Sequence, residues 1–281
     1  MIRALDRIAK DRVHGARPLG DAALRAIQSW ATTRDAGTRS PSRLRDLARR
    51  LERAQPAMAN FARWAHELRV LAASAPAAER RATLRHWLVE EQRRLHREIP
   101  RLRAIARQRL PPRAVLVTLS RSATVREVLA GLSRRTRPRE IVVLESRPGG
   151  EGRLFASDLR RAGLRARWVA DARGPSELSG ADALVIGADA IYSDGSVLHK
   201  VGTRRLATIA RQRGKPVIVF AGTSKLLERR GAGSPPGPLF ERTPARWLTE
   251  IWTDAGAVPG SRWRDSRPHP RRRTDGPRRG A

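Results

Sequence analysis

The sequence predicts an α/β protein: a helical N-terminal half followed by a parallel sheet with helices on both faces. Three observations carry that prediction. Residues 1 to about 110 repeat apolar side chains at helical spacing. At Pro111–Pro112 the period changes, and short apolar runs begin to alternate with helical patterns. Those runs are continuous rather than alternating, as in strands buried on both faces of a parallel sheet.

In the helical half, Leu44, Leu47, Ala48 and Leu51 fall at i, i+3, i+4 and i+7. Phe61, Trp64, Ala65, Leu68 and Leu71 repeat the pattern, as do Leu84, Trp87, Leu88 and Leu95. Ser42 is the expected cap, and Pro56 and Pro76 are expected at first-turn positions. Trp64 and Trp87 are read as core rather than as a base-stacking platform. Strands are expected at 114–119, 141–145, 166–170, 183–188 and 216–221, joined by right-handed crossovers. Between the first two strands, Val125, Val128, Leu129 and Leu132 share one helix face. A later helix, 204–213, turns Leu206, Ile209 and Ala210 inward. A Gly/Pro-rich loop at 230–238 leads to a helical closing segment at 243–256. From 257 to 281, eight arginines, two aspartates and four prolines with little apolar content read as a basic disordered tail.

The 281 residues suffice for one large domain or two modest ones. The chain has no cysteine, which excludes disulfides, thiolate metal sites and cysteine nucleophiles. No apolar run reaches 18 residues and the N-terminus lacks a signal-peptide core, so a cytoplasmic location without membrane insertion is expected. The formal charge of +31 invites a nucleic-acid reading. Of the 58 basic residues, however, only Lys10, Lys200, Lys215 and Lys225 are lysines, and the arginines are spread along the chain rather than gathered into a stripe. Such a surface binds nucleic acid non-specifically and in a salt-sensitive way.

The residues that suit chemistry lie where strands end, the position at which open parallel sheets bind ligands. After the first strand, residues 120–124 (SRSAT) offer Ser120 and Ser122 hydroxyls, the Arg121 cation and free N–H groups at a helix start, a combination that suits an anion. Helix capping by either serine is the plainer use. After the second strand, Glu145, Arg147 and Glu151 flank Gly149 and Gly150, which permit close backbone approach. After the fourth come Asp189, His199, Lys200 and Thr203. Lys200 is a rare ammonium in a chain that otherwise uses arginine, and the two cations are not equivalent. No GxGxxG or Walker A pattern is present, and His66, His86, His96 and His269 lack metal spacing, so neither a cofactor nor a metal is expected.

These clusters, together with KPVIVFAGTSK and LFERTPARWLTEIWTDAG, resemble the family of translation initiation factor 2B α/β/δ subunits and their relatives. Those relatives are methylthioribose-1-phosphate isomerase and ribose-1,5-bisphosphate isomerase. Residues 11–27 (DRVHGARPLGDAALRAI) are similar to the family's entry segment, in which an Arg-Gly-Ala lies beside the ligand and His14 takes the arginine position. The resemblance implies a helical N-terminal domain (1–110), a Rossmann-like ligand-binding domain (111–256) and assembly into dimers or larger homo-oligomers. It also implies a phosphorylated sugar or nucleotide bound between the domains. In the isomerases a cysteine after the first strand and the Asp of Gly-Ala-Asp flank the reacting carbons. Here Asp189 keeps its place and Ser120 stands for the cysteine. His14, Glu151 and His199 replace the isomerases' Arg, Gln and Asn. A hydroxyl is a poor acid/base without a tuning partner, so the expectation is ligand binding with little turnover. Phosphate would be held by Lys200 and the 120–122 loop, and hydroxyls by Asp189 and Glu151. The alternative is an aldose–ketose isomerase of a pentose 1-phosphate, with Asp189 and Ser120 or His199 as acid/base groups.

Overall fold

Amphipathic periodicity in residues 1–110 becomes five helices in the computed structural model, which describes residues 1–11, 14–32, 40–228, 230–231 and 234–263. They are α1 (Ile2–Lys10), α2 (Ala16–Thr32), α3 (Pro41–Ala54), α4 (Ala59–Ser74) and α5 (Arg80–Arg109). The stripes found at helical spacing face one another: Leu44, Leu47, Leu51, Phe61, Trp64, Leu68 and Leu84 are fully buried in one core. Trp64 therefore belongs to the core as expected, and Trp87 is half-buried, its indole N–H donating to Glu67 at 2.7 Å. The cap of α3 is Ser40 rather than Ser42, because Pro41 takes the first helical position. Pro56 and Pro76 precede their helices by three and four residues instead of opening them.

Helix α5 has 30 residues, about 45 Å at 1.5 Å per residue. Its first half packs Leu84, Leu88 and Leu95 into the helical core. Its second half packs Ile99, Leu102 and Ala106 against the sheet. One rod thus joins the two halves of the chain.

The strands follow the apolar runs: β1 (Val115–Leu119), β2 (Glu140–Leu144), β3 (Ala166–Val169), β4 (Ala183–Ile186) and β7 (Val217–Phe220). They alternate with α6 (Ala123–Ala130), α7 (Glu151–Arg161), α8 (Gly174–Ser179) and α9 (Thr203–Gln212). Two further strands, β9 (Glu250–Thr253) and β10 (Gly256–Pro259), complete a sheet of order β10-β9-β7-β4-β1-β2-β3, in which only β10 runs antiparallel to its neighbour. Helices α5, α6 and α7 cover one face, and α8 and α9 the other. The chain runs outward from β1 to β3, then returns to place β4 on the other side of β1. The β1/β4 junction is the topological switch point.

A second, three-stranded antiparallel sheet, β5 (Ala190–Ile191), β6 (Val197–Lys200) and β8 (Phe240–Thr243), stands beyond the end of β4. It is absent from the sequence reading. The expected helix at 243–256 is also corrected. Leu248, Ile251 and Trp252 mimic helical spacing, but only Ala245–Trp247 turns, as 3₁₀, before β9 begins. The ordered chain also runs past 257, because β10 occupies 256–259 and Trp263 is 1% exposed in the sheet core. The rest of the expected tail, 264–281 with His269, lies outside the described residues.

A Cβ on Gly195 would meet Trp263 Cβ at 2.9 Å and its ring at 3.0 Å, so the 192–196 turn rests directly on that side chain. Trp263→Ala is expected to cost about 3–5 kcal/mol through cavity creation, measured by urea unfolding. A loss below 1 kcal/mol would return this segment to the tail. No helix among the described residues is long and apolar enough to cross a membrane.

Candidate functional site

At the switch point the β1 and β4 strands end side by side and their loops splay apart. A cavity of about 50 Å³ opens there, lined by Ser120 and Ser122 from the first loop and Asp189 from the second. His199, Lys200 and Thr203 close one side, and Gly15, Ala16 and Arg17 at the start of α2 close the other. The helical half is therefore a wall of the site. Ala59 fixes it further by donating its N–H to the Asp189 carbonyl at 3.0 Å.

Local geometry explains each placement. Ser120 turns the chain at φ +66°, and its N–H donates to Ser146 Oγ at 2.6 Å. Ser122 caps α6, its Oγ accepting from the Val125 N–H at 3.2 Å. Gly187 lets the two loops close on each other, since a Cβ there would run into the Ser122 hydroxyl. Thr203 Oγ1 donates to the Lys200 carbonyl at 2.7 Å and so ties β6 to the start of α9. The N-termini of α2, α6 and α9 all reach the cavity through Ala16, Ala123 with Thr124, and Thr203. Three positive helix ends favour an anion, although at the start of α9 the Arg204 N–H already donates to the Glu241 carboxylate at 2.6 Å.

Burial shapes the titrating groups. The Asp189 carboxyl is pushed up to about 6, mainly by desolvation, which the Lys225 ammonium opposes. Lys225 is 7% exposed and donates to the Ala188 carbonyl. Burial lowers its pKa, with Asp189 pulling the other way. Burial also pushes His199 down to about 4, so its ring is neutral at pH 7. Its Nδ1 lies 3.2 Å from the Lys200 carbonyl, while Nε2 is buried with no partner among the described residues. Lys200 pairs with Glu151 at 2.9 Å, and Ser120 Oγ donates to the same Glu151 oxygen at 2.9 Å.

Ser120, Ser122, Asp189, His199 and Lys200 thus share one cavity, and Glu151 joins through two of them. Three expected ligand-binding residues stand differently. Arg147 is 66% exposed and turns away to Glu145, just past the end of β2, at 3.0 Å. His14 is exposed and folds back on Asp11 at 2.8 Å, outside the cavity. Arg121 lines the cavity, but its Nε donates to Asp158 at 2.7 Å, so its cation is already engaged. Arg17 and Lys225 are the lining cations that sequence reasoning missed. Lys225 carried a usable signal, being one of four lysines and lying just past the end of β7.

Comparison with known proteins agrees with this architecture. A ribose 1,5-bisphosphate isomerase of Haloferax volcanii is 29% identical, with 92% of this chain and 88% of the relative covered. The crystal structure of the Pyrococcus horikoshii OT3 translation initiation factor eIF-2B superposes with a TM-score of 0.80 at 26% identity, covering 92% and 96% of the two chains. The 5-methylthioribose 1-phosphate isomerase of the same organism shares the fold, with a TM-score of 0.68 at 22% identity over 92% and 83%. The profile of the Initiation factor 2 subunit family matches residues 12–234, so this chain belongs to that family.

Proposed function

We propose that this chain binds a phosphorylated pentose or nucleotide in the cavity at the β1/β4 switch point and turns it over slowly or not at all. The observation that carries this reading is the convergence of three helix N-termini and Lys200 on a cavity that also holds Asp189 and the free His199 Nε2. Phosphate would sit on the N–H groups of residues 121–124 and on Lys200. Sugar hydroxyls would face Asp189 and His199. The absence of cysteine supports slow turnover, and Ser120, in its place, already donates its proton to Glu151. Homo-oligomeric assembly and a cytoplasmic setting, which the family resemblance implies, are part of the same proposal. The test is a thermal-shift titration with ribose 1,5-bisphosphate and AMP. Either ligand at 100 times its Kd is expected to add about 2.7 kcal/mol of stability; no shift with either at millimolar concentration would refute it.

A second reading, an aldose–ketose isomerase acting on such a sugar phosphate, is favoured by Asp189. A carboxyl that titrates near pH 6 can carry a proton between C1 and C2 at neutral pH. The named activity of the Haloferax relative points the same way. Ketose formation from ribose 1,5-bisphosphate, followed by NMR, separates the readings. If turnover occurs, Asp189→Asn is expected to reduce it at least about 100-fold. Turnover undiminished in that variant would remove Asp189 from the chemistry.

A further inference from the structure

Every cation that lines the cavity is matched by a carboxylate. Arg17 Nε pairs with Glu127 at 3.1 Å, Arg121 with Asp158 at 2.7 Å and Lys200 with Glu151 at 2.9 Å, while Lys225 is held electrostatically by Asp189. A phosphate entering this cavity therefore needs one pair to open. The pairs are not equal in their ability to do so. Asp158 is buried and shared with Arg161, and Asp189 is enclosed with Lys225. Glu127 holds Arg17 from the rim, outside the cavity lining. Glu151, which like Glu127 stands just outside the lining, differs in its partners: its carboxylate reaches Lys200 on β6, and its one other polar partner among the described residues is the Ser120 hydroxyl, both of them lining groups.

Its position in the chain allows movement. Glu151 is the first residue of α7, after Gly149 and Gly150. Nothing lies within 4 Å of a Cβ built on Gly150, so the hinge side is open. A displaced carboxylate also remains at the α7 N-terminus, where negative charge is stabilised. Gly149 covers the pair from the other side. A Cβ there would collide with Glu151 Oε2 and come within 3.0 Å of Lys200 Nζ. The closed pair thus depends on a glycine at 149.

We infer that Glu151 is a built-in counter-anion: in the free protein its carboxylate occupies the phosphate position on Lys200 and Ser120, and a ligand phosphate must displace it. Glu151 is then a specificity-determining residue that sets how much negative charge a ligand needs in order to enter. A phosphodianion out-competes a single carboxylate for an ammonium, whereas an unphosphorylated sugar has nothing to exchange. This inference rests on the proposed phosphosugar site and concerns its selectivity.

Isothermal titration of the full chain with ribose 1,5-bisphosphate and with ribose tests it. Glu151→Gln keeps the shape and the Ser120 contact but frees Lys200, and is expected to tighten ribose 1,5-bisphosphate binding about tenfold. Ribose binding is expected to change less than twofold. Gly149→Ala, which pushes the carboxylate off Lys200 without changing any charge, is expected to tighten binding in the same direction by a smaller factor. Binding that weakens or stays equal in Glu151→Gln, with wild type binding normally, would overturn the counter-anion alone. That outcome would make Glu151 a direct ligand contact or a bystander. Absence of ribose 1,5-bisphosphate binding in wild type and both variants, all folded by circular dichroism, would overturn the site proposal and this inference together.

Discussion

Lys200→Ala is expected to weaken binding of ribose 1,5-bisphosphate about 100-fold and to abolish the ligand-induced thermal shift. The magnitude follows from what the side chain does. Lys200 is only 10% exposed, so its ammonium meets a phosphate in a partly desolvated setting. A hydrogen bond to a charged group there contributes about 1.5–3 kcal/mol. Removing the ammonium also leaves Glu151 unopposed at the mouth of the anion site, which adds repulsion. Together about 2.8 kcal/mol, or two orders of magnitude in Kd, is expected. Lys200→Arg is expected to rescue poorly, since a guanidinium fork is not equivalent to the compact ammonium that meets a single Glu151 oxygen here. In the double variant with Glu151→Gln, part of the loss should return because the repulsive carboxylate is gone. Titration calorimetry on the three variants checks each statement. A Lys200→Ala protein that binds as wild type does would show that the phosphate lies elsewhere.

The second large effect is on stability against pH, where two neighbouring groups act in opposite directions. Folding raises the Asp189 carboxyl from 3.8 to about 6, so its contribution to stability is fully present below pH 3.8 and is lost as pH rises through about 6. Folding lowers the His199 imidazole from 6.5 to about 4, so its contribution is present above pH 6.5 and is lost as pH falls through about 4. Each amounts to about 3 kcal/mol. In the wild-type protein the two slopes largely cancel between pH 4 and 6. Substitution unmasks them. Relative to wild type, His199→Asn is expected to lose less stability on acidification from pH 6.5 to 4. Asp189→Asn is expected to lose less on going from pH 4 to 6, and above pH 6 it also lacks the negative charge that opposes the buried Lys225 ammonium. Urea unfolding at pH 4, 5, 6 and 7 measures both differences. Profiles of either variant that run parallel to wild type would show that the corresponding group is not desolvated by the fold.

The parts of the fold legible in the sequence are those where one physical signal dominates. β1, β2, β4 and β7 are buried on both faces, and their apolar runs have no competing interpretation. The antiparallel β5-β6-β8 sheet was illegible because its strands have two to four residues and mix apolar with charged side chains, as in Val197–Lys200. The 243–256 stretch misled because Leu248, Ile251 and Trp252 satisfy helical spacing by accident. In fact Trp252 stacks on Phe220 of the neighbouring strand at 5.1 Å, a contact made across the sheet that spacing along one chain does not reveal.

The site divides the same way. Ser120 and Asp189 were legible because a strand end fixes where a residue sits, whatever its side chain does, and Lys200 because lysine is rare in this chain. Arg147 also sits past a strand end, but its direction was decided by Glu145 two residues away, a choice made by side-chain pairing. Arg17 was missed because it reaches the cavity only through the packing of α2 across α5 and α6, where Glu98 and Glu127 hold it.

The central claim is that a phosphorylated ligand occupies the crevice between the ends of β1 and β4. A crystal structure of the chain with ribose 1,5-bisphosphate tests it most directly. The expected result is one phosphate on Lys200 Nζ and the N–H groups that open α6, with the sugar hydroxyls toward Asp189 and His199. The contradicting result is the same ligand seated in the larger groove of about 1260 Å³ between α4, α5 and the sheet, lined by His66, Trp87, Arg94 and Arg97, with the switch-point crevice bare.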